Sequence, residues 1–187
     1  MKYFIGYFRK CDILTMIGTT ISLLGIYMAI NNNINISVLC LMMSGICDSF
    51  DGVLARSKSY SREMQEYGVE LDSLSDAICF GLLPSIITII ISNSLICLIF
   101  CTFYMLSGII RLAYFNMLHN TNKAQKGIYI GMPITVIAIV YPITYIIIKL
   151  INYELLKYSM PIILLVMGIL EISRINVKKP NITKIIK

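Results

Sequence analysis

The chain has 187 residues; 57% are hydrophobic, only 14% are charged, and the mean hydropathy is +0.78. Soluble domains carry about a quarter charged residues, so this composition excludes an ordinary water-soluble fold and points to lipid as the solvent. The formal net charge of +6 comes from basic residues scattered over loops, without the aromatic-lined basic face that nucleic acid requires, and no nucleic-acid partner is expected.

Runs of about 20 apolar residues mark transmembrane helices. Six such runs occur, and helices are expected over 13–30, 34–55, 70–92, 94–118, 130–150 and 158–175. The first run lacks a small-residue cleavage signature and reads as a retained helix, not a signal peptide. "NNN" at 31–33 and "SNS" at 92–94 are uncharged turns. The second and third runs are weakened by aspartates. In the fourth, Cys97 and Cys101 share a helix face suited to packing. The six cysteines show no CxxC spacing and the chain has a single histidine, His119, so a zinc site is not expected. The tail "NVKKPNITKIIK" is basic and is expected at the membrane surface. No internal repeat is visible, and 1–187 reads as one domain.

Orientation follows from the basic residues. Six spans place both termini and the 56–69 and 119–129 loops on one side, with thirteen lysines and arginines against two, Lys149 and Lys157, on the other. The richer side is expected to be cytoplasmic. Attraction to anionic head groups accounts for the net positive charge.

The stretch "CDSFDGVLARSKSYSREMQEYGVELDSLSD" at 47–76 holds Asp48, Asp51, Asp72 and Asp76 between greasy flanks. One carboxylate at the centre of a spanning helix costs roughly 2.5–3.5 kcal/mol on insertion scales. Arg56 and Arg111 are the cations in or at the edge of the spans, and two cannot balance four. Asp48 and Asp51 are three apart and Asp72 and Asp76 four apart, so each pair falls on one helix face. Facing pairs of this kind suit hard divalent cations, Mg²⁺, Mn²⁺ or Ca²⁺, and two such ions would cancel the four charges. Carboxylates around two metals recur in displacement at phosphorus. Asp48 lies about 12 Å along the helix from Arg56, so the site is expected in the inner leaflet, open to the cytosol. Gly52, Ala55 and Gly68 keep both helices free of bulk beside the acids. An ion path through the acids would instead be expected to show an inverted repeat.

These residues read D-x-x-D-G-x-x-A-R, eleven residues, then G-x-x-x-D-x-x-x-D. The pattern resembles the signature of the CDP-alcohol phosphatidyltransferase family, with all eight positions present: Asp48, Asp51, Gly52, Ala55, Arg56, Gly68, Asp72 and Asp76. The resemblance implies an all-α integral membrane bundle of six transmembrane helices with a polar metal-binding cavity open to the cytoplasm. It implies a CDP-linked lipid donor whose diphosphate rests on two divalent ions, with CMP as the leaving group. By the same resemblance Asp48, Asp51 and Asp72 hold metal, and Asp76 completes the metal site and acts as general base. Asp48, Gly52, Ala55, Arg56 and Gly68 would bind the CDP-lipid. A homodimer in the cell membrane is implied as well.

The acceptor is addressed by "GVELDSLSDAICFGLLPS" (68–85), "SGIIRLAYFN" (107–116), "YIGMPIT" (129–135) and the first span, where Thr15 and Gly25 match. These are similar to segments of integral-membrane phosphatidylserine synthases, which implies CDP-diacylglycerol and L-serine as substrates. Tyr114 departs from the arginine common at that position. Arg111 is the one cation deep in a span; a buried arginine needs a partner, and a serine carboxylate would be a bidentate one. Asn116 is its expected companion in acceptor binding. Glycerol phosphate, inositol or inositol phosphate as acceptor, or an ether-linked donor, are the alternatives.

Overall fold

Helices dominate the computed structural model, which describes residues 6–56, 60–120 and 128–178. They are α1 (Asp12–Ile30), α2 (Ile34–Arg56), α3 (Arg62–Asp76), α4 (Leu83–Ser92), α5 (Leu95–Asn120), α6 (Ile137–Ile151) and α7 (Leu156–Ile172). A π-helical turn, Ala77–Leu82, joins α3 to α4, so Arg62–Ser92 forms one continuous rod of 31 residues. Among the described residues six helical spans are long and apolar enough to cross a membrane, and the chain is a multi-pass membrane protein. Leu23, Tyr27, Ile96, Ile110, Ile139 and Ile147 are among many large apolar side chains on the outside, where lipid is as good a solvent as a core.

Lipid gives helices no hydrophobic reason to associate, so contact relies on close packing and polar bonds. The buried stripe of α1 is accordingly small: Thr15, Gly18, Ser22, Gly25 and Ala29. It meets Cys40, Ser44 and Cys47 of α2. A Cβ placed on Gly18 would lie 3.2 Å from the Cys47 Cβ, and one on Gly25 would lie 2.9 Å from the Cys40 Cβ. The Ser22 hydroxyl donates to the Ser44 Oγ at 3.0 Å within this seam. Gly45, on α2, is bare so that Ala138 of α6 can approach, its Cβ 2.5 Å from where a Gly45 Cβ would stand. Gly25→Val overfills the α1–α2 seam against Cys40 and Leu83. It is expected to destabilise the bundle by about 1–3 kcal/mol, seen as earlier loss of monodisperse protein on heating in detergent.

The turns are held by Asn32 and Asn93, both at positive φ (60° and 45°), a conformation asparagine tolerates at helix ends. All six cysteines are buried and free, as expected of packing residues, and the Cys97 and Cys101 sulfurs lie 3.7 Å apart on one face.

Three boundaries differ from the sequence reading. The third helix starts at Arg62 rather than at 70, capped by the Ser61 hydroxyl, which accepts from the Met64 amide at 3.4 Å. Residues 62–69 of the expected 56–69 loop are therefore helical, Gly68 among them. The fifth helix starts late because 128–133 is otherwise engaged. Strand β1 (Ile128–Ile130) pairs antiparallel with β2 (Asn176–Lys178), a short ribbon that the all-helical reading did not foresee. Beside it the Gly131 amide donates to the Ile175 carbonyl at 2.8 Å, and the Met132 amide to the Leu170 carbonyl at 3.1 Å, satisfying one of the last carbonyls of α7. Gly131 has φ +76°, and a Cβ there would run into the Glu171 carbonyl, so only glycine fits. The sixth helix, expected over 158–175, spans Leu156–Ile172 because the chain then turns into the ribbon.

Alternating helix directions gather the 6–11 segment, the end of α2, the start of α3, the end of α5 and the ribbon at one end of the bundle. Lys149 and Lys157 fall at the other.

Candidate active site

Asp48 and Asp51 project from the last three turns of α2; Asp72 and Asp76 project from the end of α3. The two helices bring Asp48 of the first together with Asp72 and Asp76 of the second. One carboxylate oxygen from each of Asp48, Asp72 and Asp76 lies within 4.8 Å of the others. All three are half-buried. Three like charges at this spacing repel strongly unless a cation or a proton intervenes. Carboxylate oxygens are the donors a hard divalent ion prefers, and the spread suits one ion held between α2 and α3.

Asp51 is placed differently. Its Oδ2 accepts from the Thr15 hydroxyl at 2.7 Å, which ties it to α1, and it is buried. It does not join the close trio, although it lines the same small cavity as Asp48, Asp76, Thr15 and Ser44. On the cavity's wall the Ser75 hydroxyl bonds that of Thr19, so α1 supports both acidic helices with hydroxyls. Asp76 is the last residue of α3, and the π-helical turn begins immediately after it. Such turns widen the helix by one residue and recur at functional positions. Here the turn re-aims Cys79 and Phe80 into the core directly behind the acid trio.

Gly52 and Ala55 continue the Asp48 face toward the end of α2, both partly exposed. The side chain of Arg56 lies outside the described residues, as does that of His119. Gly68 is buried, and the Arg9 guanidinium lies against it where a side chain would begin.

The two residues expected to bind the acceptor, Arg111 and Asn116, both lie on α5. Asn116 accepts from the Ser73 hydroxyl at 2.9 Å and donates to the Glu70 carboxylate at 2.9 Å, so it fastens α5 to α3. Arg111 is buried on α5, with its guanidinium 4.6 Å from the centre of the Phe115 ring. Within electrostatic reach of it is Glu171, near the end of α7 and 2% exposed. Neither Glu171 carboxylate oxygen has a hydrogen-bond partner among the described residues. Glu171 of α7 thus brings a buried acid into the electrostatic surroundings of Arg111.

Sequence reasoning missed Arg9, Asp12 and Glu171. Asp12 is 1% exposed and bonds Arg9 three times: from the amide at 2.7 Å, from Nε at 2.9 Å and from Nη2 at 2.7 Å. The signal was present as R-K-C-D, a cation three residues before an acid at the entrance of a span. It passed for ordinary flanking charge.

A family profile described as CDP-alcohol phosphatidyltransferase matches residues 10–171. The chain is 31% identical over 130 residues to an archaetidylserine synthase of Methanothermobacter thermautotrophicus, covering 68% of this chain and 54% of that one. It is 29% identical over 152 residues to a CDP-diacylglycerol–serine O-phosphatidyltransferase of Helicobacter pylori, covering 78% and 60%. A protein of the same name from Bacillus subtilis is 31% identical over 115 residues, covering 60% and 61%. The chain therefore spans between about half and three fifths of the length of these curated relatives.

Proposed function

Because the chain belongs to the CDP-alcohol phosphatidyltransferase family, we propose that it transfers a phosphatidyl group from CDP-diacylglycerol to L-serine, giving phosphatidylserine and CMP. The observation that carries this reading is the trio of Asp48, Asp72 and Asp76 oxygens within 4.8 Å of one another. The named relatives support serine as acceptor.

Asp48, Asp72 and Asp76 would hold one divalent ion, Mg²⁺ or Mn²⁺, and Asp51, which lines the same cavity, would share a second with them. Bound there, the ions supply charge neutralisation for the donor's diphosphate and for the departing CMP. The residues of the chain do the rest. Asp76 takes the proton of the serine hydroxyl as its oxygen bonds the lipid-side phosphorus and the bond from that phosphorus to CMP breaks. Thr15 fixes the Asp51 rotamer, and Ser75 and Thr19 brace α3 against α1, so the acids are set before substrate arrives. Gly52 and Ala55 leave the α2 wall low for the nucleotide, and the same helix ends at Arg56.

The basic asymmetry between the bundle ends supports a cytoplasmic site and termini in the cell membrane. Acyl chains would stay in lipid while the head group enters between α2 and α3. A homodimer accords with the family resemblance.

Arg111 reads the acceptor carboxylate in this scheme. Its replacement by Ala removes a charge-assisted pair worth about 1.5–3 kcal/mol. The expected result is a KM for serine raised about 10- to 100-fold, with the KM for the donor little changed. Since Glu171 would lose its neighbouring cation, Arg111→Ala/Glu171→Gln is assayed alongside. If the double variant restores the serine KM, Arg111 acts by balancing Glu171 and does not touch serine.

The test of the whole reading is an acceptor panel in proteoliposomes, with CDP-diacylglycerol and Mn²⁺ or Mg²⁺, scored by CMP release and labelled lipid. Incorporation of inositol or glycerol phosphate in place of serine would overturn the acceptor assignment. The similarity to an archaetidylserine synthase makes an ether-linked donor the second substrate to include.

A further inference from the structure

Gly68 is bare for a reason that the acid signature alone does not give. A Cβ at this position would overlap the Cζ, Nε and Nη2 atoms of Arg9. The guanidinium therefore lies flat on the α3 backbone, one turn before Asp72. It is 89% buried by its 11% side-chain exposure, with the Tyr60 ring on another side, 5.9 Å from Cζ to centroid. Its hold on Asp12 is through Nε and Nη2, which uses two of the five N–H donors of the fork. Arg9 also lies within electrostatic reach of both Asp51 and Asp72.

Packing alone would not need this. An arginine anchoring α1 through Asp12 has no cause to be pressed onto the one glycine of α3 beside the acid trio. Aimed there, it presents a planar cation next to the place where a diphosphate would rest, a geometry that suits phosphate recognition. Building on the donor reading above, we propose that Arg9 is a further ligand for the phosphate-bearing cytidine head of the donor, held in place by Asp12 and given room by Gly68. The 6–11 segment then forms one wall of the donor site, and donor affinity depends on it.

Equilibrium binding of CDP in the presence of Mn²⁺ tests this without turnover. Arg9→Gln is expected to weaken CDP binding about tenfold, the equivalent of one lost charge-assisted hydrogen bond. In the assay the KM for the donor rises by a similar factor while kcat and the KM for serine hold. A purely structural Arg9 would instead lower thermal stability and leave CDP affinity as in the wild type, which overturns the inference and leaves the proposed function standing. If the wild type itself binds no CDP with Mn²⁺, the donor reading fails and takes Arg9 with it. Should Arg9→Gln not fold, Arg9→Lys decides: it keeps a charge for Asp12 but loses the fork. CDP affinity unchanged in that variant overturns the proposal; a loss of about threefold or more supports it.

Discussion

Asp76→Asn is expected to abolish turnover with every acceptor in the panel. Loss of a positioned base alone lowers kcat by about 10²–10⁴-fold, and Asp76 would lose a metal oxygen as well. The substitution keeps side-chain shape, so the packing of Ser75 on Thr19 and of Cys79 and Phe80 behind the trio should survive. The kinetic signature is a collapse of kcat, because the base's interaction is one made in the transition state. Asp51→Asn is the informative companion. Asp51 is held by Thr15 on the far side of the cavity and belongs to no close trio. A smaller loss there than at Asp76 would say that the two aspartates do unequal work. Activity of Asp76→Asn above about a tenth of wild type would remove the base from the scheme.

The six spans and the acid pairs were legible because both rest on strong local signals. Twenty apolar residues have few alternatives to a spanning helix. Spacings of three and four put Asp48 with Asp51 and Asp72 with Asp76 whatever the neighbours do. What the sequence concealed was set by tertiary contact. The start of α3 at Arg62 needed the Ser61 cap, which competes with loop signals from Ser57, Ser59 and Tyr60. The ribbon of Ile128–Ile130 with Asn176–Lys178 joins segments far apart in the chain, and three residues leave no periodicity to read. Asp51 shares a face with Asp48, yet Thr15 draws it toward α1, a choice made by a hydroxyl on another helix. The R-K-C-D spacing hinted at the Arg9–Asp12 pair, but the roles of Arg9 and Glu171 were hidden for the same reason. Each acquires meaning only from what folding brings beside it: Gly68 in one case, Arg111 in the other.

Metal removal offers a sharper test than loss of activity, because it makes opposite predictions for two proteins. Carboxylates about 4–5 Å apart repel by roughly 3–4 kcal/mol per pair at an effective dielectric of about 20, and Asp48, Asp72 and Asp76 form three such pairs. In chelator the wild type carries that repulsion, relieved only by proton uptake. Asp48→Asn removes two of the three pairs and should withstand heat better than the wild type under those conditions. With Mn²⁺ at about 100 times its Kd, the wild type gains about 2.7 kcal/mol from binding, while the variant, one oxygen donor short, gains less. The order of the two melting curves should therefore reverse between chelator and Mn²⁺, and wild-type turnover should vanish in the first and return in the second. A loss of activity in chelator could arise from many causes. A reversal of stability order arises only if these acids crowd one another and share a cation. Two proteins melting in the same order under both conditions would show that the trio does not hold the ion.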